Sequence, residues 1–177
     1  MKTRSLGGDI VSNTSPTNCT PAFGELVLAG ATAGVISTAS SNEVLDSAYS
    51  TSGGCLAGAA FGVTQTIATG LLTIVRTGYY EVELDLPDYA ATTGTGTVAF
   101  SVQKNAAAFA GEDVMTITGT AVAAVRISAH LKKIVRLVKN DTIRATVTAA
   151  STVVTINKGT LSVKQISDEI TDLTVGA

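Results

Sequence analysis

Between Phe61 and Ile166 apolar and polar residues alternate in short runs closed by turn residues, and this period of two constrains the fold more than any other feature. The run "RTGYYEVELDLPDY", Arg76 to Tyr89, is the clearest case. Val82, Leu84 and Leu86 fall on one side of such a segment, and Glu81, Glu83 and Asp85 fall on the other. Successive side chains of a strand point to opposite faces, so the pattern describes a strand with one face in a core. "FGVTQTIA", "GLLTIVRTG", "TVAFSVQKN", "DVMTITGTAV", "AVRISAHL", "KKIVRLVKND" and "TIRATVTAA" continue it, and "STVVTINKG" and "TLSVKQI" form a final pair across a hairpin turn at Lys158-Gly159. At least about eight strands at roughly 8–12-residue spacing make an all-β sandwich or barrel.

The segment before Phe61 reads less regularly. Strands are expected near Phe23–Leu28 and Val35–Thr38, a short helical turn at "SNEVLD", and a loop through "YSTSGGCLAGAA". In the opening stretch Pro87 and Asp88 end the strand, because proline cannot donate to a ladder. Residues 1–22 are polar and rich in Gly, Ser, Thr and Asn; they cannot build a core and read as an extended arm that a partner would order. The division is therefore an arm at 1–22, a sandwich at 23–166 and an acidic tail at 167–177.

Composition removes several function classes. The chain has 177 residues, enough for one domain with a core, and Ser, Thr, Val and 17 Gly suit sheets and turns. A net charge of -2 with only 15% charged residues argues against nucleic-acid binding, which needs concentrated positive charge to displace counterions. Few charges on an apolar chain suit a surface covered by neighbouring subunits. No stretch has the length of a membrane helix, and the start lacks the apolar centre of a secretory leader. Cys19 and Cys55 are read as free thiols, and the Asn13, Asn18 and Asn140 glycosylation-type triplets as chance.

No catalytic or metal constellation emerges. His130 is the only histidine and reads as an exposed strand residue, since a zinc site needs several imidazole or thiolate ligands. Phosphate-cradling and nucleophile-elbow patterns are missing. The row Glu81, Glu83, Asp85 could serve acid–base chemistry or hold Ca2+, but the basic run "VRISAHLKKIVRLVK" supplies a simpler partner across strands or subunits. No enzyme activity, cofactor or metal is expected.

The order of motifs from Leu71 onward resembles the C1q/TNF-type jelly roll. "LLTIVRTGYYEVELDL" is similar to that family's strand, Gly-x-Tyr, strand element, with Gly78 and Tyr80 at its Gly and Tyr. "TVAFSVQKN" resembles the next strand, and "IVRLVKNDTIRATV" the apolar strand, Gly-Asp, apolar strand element, with Asn140 in place of Gly and Asp141 kept. "TLSVKQI" resembles the closing strand. The resemblance implies a jelly-roll sandwich and a tight homotrimer, with the Gly-x-Tyr strand beside the "KKIVRLV" strand in the sheet facing the trimer interior. Tyr79 or Tyr80 would then pack near the threefold axis, and Glu81, Glu83 and Asp85 would meet Lys133 or Arg136.

Among trimeric domains of this kind, the polar arm and Ala/Thr/Gly-rich strands look most like a phage head decoration, or cement, protein. That resemblance implies a trimer on the outer capsid surface of a virion, made in the host cytoplasm, clamping the major capsid protein. Arg4, Leu6, Ile10, Val11 and Phe23 would seat the arm on the shell. A receptor- or glycan-binding head of a phage fibre or bacterial filament is the alternative. Its sugar-stacking aromatics would be Tyr89 and Phe109.

Overall fold

A computed structural model describes residues 20–36, 41–43, 55–105, 112–123, 125–150 and 153–168. The strands are β1 (Phe23–Ile36), β2 (Ser41–Glu43), β3 (Cys55–Phe61), β4 (Val63–Thr66), β5 (Leu71–Ile74), β6 (Gly78–Thr93), β7 (Thr95–Lys104), β8 (Glu112–Val122), β9 (Arg126–Leu137), β10 (Thr142–Ala150) and β11 (Val153–Asp168). They form two antiparallel sheets, in the orders β3-β1-β11-β6-β9 and β4-β5-β10-β7-β8, with β2 pairing β10.

The core lies where the two inner faces meet. Leu26, Val82, Leu84, Leu86 and Leu161 of the first sheet and Leu72, Phe100, Ile143 and Val147 of the second are all essentially inaccessible. Each is every second residue of its strand, so the period of two becomes a core by pleating alone. Tyr89 joins this core, its ring edge-on to Phe100 at 4.7 Å.

Several strand ends expected from sequence do not exist. Pro87 and Asp88 do not end β6, and Lys158-Gly159 is not a hairpin turn; β6 and β11 both run on through these positions. The two irregularities face each other. The β6 register shifts between Leu86 and Tyr89, and β11 shifts on both sides of Lys158, which pairs Asp88. A proline without N–H and a glycine without a side chain are tolerated in long strands when both fall in facing bulges. Likewise "AVRISAHL" and "KKIVRLV" form one strand, β9, and the Val35 segment is the end of β1. Ser41–Glu43, the start of the "SNEVLD" segment expected as a helical turn, is the short strand β2, residues 44–46 lying outside the described residues, and "CLAGAAF" is strand β3, not loop.

The sandwich also begins earlier and ends later than its expected limits. Ala22 is fully buried, its N–H donates to Gln165 Oε1 at 3.1 Å, and its carbonyl accepts from the Gln165 backbone. The arm's last residue thus belongs to the sandwich, and Asp168 of the tail is still in β11.

Candidate functional site: the outward face of the first sheet

The face of β1, β11, β6 and β9 that turns away from the core collects most of the chain's charged strand residues. Pairing sets its rows. Glu81 lies between Lys164 and Ile134, Glu83 between Ser162 and Lys132, and Asp85 between Thr160 and His130. On β1, Glu25 stands opposite Ser162 and Phe23 opposite Lys164. Tyr79 and Arg136 face each other at one end.

Lys132 ties the acidic row together. Its Nζ is 2.9 Å from Glu81 Oε1 and 3.8 Å from Glu83 Oε2. The hydrogen bond to Glu81 raises the Lys132 ammonium above its ordinary value of 10.5, against desolvation that lowers it, with the negative charges of Glu81 and Glu83 adding to the rise. His130 Nδ1 stands 3.7 Å from Glu83 and 3.6 Å from Asp85. The Lys132 contacts are partly exposed ion pairs, which set orientation more than stability.

The expected partners of this row were Lys133 or Arg136, and within the chain the contact is made by Lys132 instead. Lys133 pairs Val82, so the pleat turns it away from the glutamates, and its Nζ donates to the Val114 carbonyl of β8 at 2.8 Å. Lys132, one residue earlier, takes the role. The same parity divides the tyrosines: Tyr79 is 45% exposed on the outward face, whereas Tyr80 is completely buried in its own subunit. The Tyr80 hydroxyl donates to the Arg76 carbonyl at 2.8 Å. Tyr80 therefore has no surface to give a threefold axis, and of the expected interface residues Tyr79, Glu81, Glu83, Asp85 and Arg136 share the outward face.

Two recesses open on this face. One, of about 350 Å³, lies between Pro21, Phe23, Glu25, Glu81, Glu83 and Lys164. The other, of about 270 Å³, lies between Glu25, Glu83, Asp85, Thr160 and Ser162. Phe23, expected on the arm, is the first residue of β1 and walls the first recess. Among the described residues no group of three or more His, Cys, Asp and Glu side chains is placed to hold a metal ion. Arg4, Leu6, Ile10, Val11, Cys19 and Phe109 lie outside the described residues. Tyr89 is in the core, so it is not an exposed platform for a sugar.

No family model and no curated protein matches this sequence. Solved structures do match. The structure of Eiger TNF from S. frugiperda superposes with a TM-score of 0.58 at 15% identity, covering 83% of this chain and 94% of that one. Murine APRIL at pH 5.0 superposes with a TM-score of 0.56 at 13% identity, covering 83% and 100%. The fold is a TNF-like jelly roll. At such identity the likeness establishes the path of the chain and nothing about what it binds. Within this jelly roll, Gly78 has a steric reason: a Cβ there would come within 2.6 Å of Gln165 Nε2 and of the Ser167 carbonyl.

Proposed function

We propose that this chain is a decoration protein of a phage head, which assembles as a homotrimer and clamps the major capsid protein on the outer surface of the virion. The observation that carries the trimer is the outward face of β1, β11, β6 and β9, where Tyr79, Ile134 and Ile166 are exposed beside the paired Lys132–Glu81–Glu83 group. Large apolar residues beside complementary charges suit a subunit contact better than open water. Attachment rests on the polar segment before Thr20, which has little apolar content for a core of its own. Three such arms on one trimer would act at high effective concentration, so weak single contacts add to lasting attachment. No catalytic step is needed for this role. The glycan-binding alternative loses Tyr89 to the core and keeps no support from the described residues.

The test is light scattering of the purified protein, alone and mixed with undecorated shells. The expected mass is three times the 17.9 kDa of one chain, and the trimer should co-sediment with shells. A truncation should remove residues 1–19 and keep Ala22, which the core needs. It should leave the trimer intact and lose the shells. Full decoration by the truncated protein would defeat the arm, and a monomer would defeat the trimer.

A further inference from the structure

One end of the sandwich holds both the start and the finish of the β1-to-β11 path. Gly78, which begins β6, pairs Asp168 at the end of β11 and Leu137 at the end of β9. Phe61, the last residue of β3, pairs Phe23, the first of β1. The second sheet closes at the same end. The Asn140 N–H donates to the Ile74 carbonyl at the end of β5, and the Lys139 N–H donates to Thr77 Oγ1 in the link from β5 to β6. The chain also enters the sandwich here, because Ala22 is fixed by its two hydrogen bonds to Gln165.

Large apolar side chains and cations stand exposed together at this end. Phe61 is 44% exposed and Val75 43%. Arg76 and Lys139 are exposed in the turns beside them. The Arg76 guanidinium lies over the Phe61 ring, 5.9 Å from its centroid, so the end of β3 and the β5–β6 link make one surface. We infer that this end docks on the shell, and that it meets an acidic, partly apolar patch of the major capsid protein. The inference rests on the reading of the chain as a decoration protein and names the surface by which it docks. Two observations select the occupant. The segment proposed for attachment joins the sandwich here, and effective concentration falls with distance from a tether, so the surface at its root is the one held against the shell. The exposed cations set the charge of what they meet, because complementary carboxylates steer the approach and fix the register. Phe61 and Val75 supply the apolar area that excludes water around those pairs. β3 and the β5–β6 link are not strands of the proposed trimer face, so docking and trimer formation can be separated.

Co-sedimentation with shells assembled from the major capsid protein alone, over a range of protein concentrations, tests this. Wild-type protein should bind, and less tightly as salt is raised. Arg76→Glu and Lys139→Glu set like charges against the shell and should each weaken binding by at least about tenfold. Val75→Ser should weaken it by at least about threefold. Thr95→Glu is the control: Thr95 is exposed at the opposite end, where β6 turns into β7, and this variant should bind as wild type does. All four variants should keep the wild-type melt and the wild-type mass in light scattering, because the changed side chains lie outside the core. Wild-type protein that ignores shells would overturn the decoration reading and this inference together. Wild-type binding that Arg76→Glu, Lys139→Glu and Val75→Ser all retain would overturn this inference alone. Vesicles of phosphatidylserine and phosphatidylcholine are the second probe, and protein that bound them instead of shells would assign the surface to a membrane and overturn it.

Discussion

At the scale of single residues, neighbours in sequence do opposite work. Leu84 is fully buried and Glu83, beside it, faces outward to Lys132. Leu84→Ala should lower unfolding stability by about 2–5 kcal/mol through lost transfer energy and a cavity. Glu83→Ala should change it by no more than about 0.5 kcal/mol. Urea midpoints of the two variants check the pair. Tyr89 adds a pH signature. Burial pushes its phenol above the ordinary 10.0, so the folded chain holds that proton to higher pH than the unfolded chain does. Its contribution is intact below about pH 10 and is lost as pH rises through the folded value. Tyr89→Phe should therefore track wild type below that pH and lose less stability above it, in melts recorded from neutral to alkaline pH.

At the scale of elements, the turn between β9 and β10 is tied down by side-chain hydrogen bonds. Asn140 has a φ of 74°, a left-handed conformation that asparagine tolerates and β-branched residues do not. Asp141 is buried and serves both sides of the turn, accepting from Asn105 Nδ2 at 2.7 Å and from the Val138 N–H at 2.8 Å. Asn105 in turn accepts from the Thr142 N–H. Asn140→Val should cost about 1–2 kcal/mol, while Asn140→Gly should be close to neutral. Asp141→Ala should cost about 1–3 kcal/mol because it leaves two part-buried donors without their acceptor. Chemical denaturation of the three variants ranks them. Asn140 was read as standing in place of a family glycine, and its backbone angle gives the physical reason that the exchange is tolerated.

At the scale of the whole molecule, the outward face of β1, β11, β6 and β9 gathers exposed apolar residues beside paired charges. Lys132→Glu would set a third carboxylate against Glu81 and Glu83. Its fold should persist, because the changed side chain is outside the core, but the proposed trimer should dissociate to smaller species. Circular dichroism and light scattering together check this; an intact trimer would move the subunit contact away from this face. Retention of the wild-type melt separates loss of assembly from loss of folding.

Much of this was legible because a period of two is a local property. Val82, Leu84 and Leu86 had to share a face opposite Glu81, Glu83 and Asp85 once the segment was extended, and the structure keeps that division. The two-sheet class followed from many such segments, and the order of the Gly-x-Tyr and Asn-Asp motifs pointed to the jelly roll. The errors have a common cause. Pro87, Lys158 and Gly159 are terminators when read alone, but paired bulges let both strands continue, and pairing partners are far apart in sequence. The choice of Lys132 over Lys133 as the partner of the glutamates depended on the register of β9 against β6, whereas the burial of Tyr80 follows from its sharing a face with Val82 and Leu84. The sequence by itself determined which residues alternate and that they make sheets. Only the tertiary structure decided which strands are neighbours, and so which charges meet. Register is set by contacts between distant segments, which no local pattern contains.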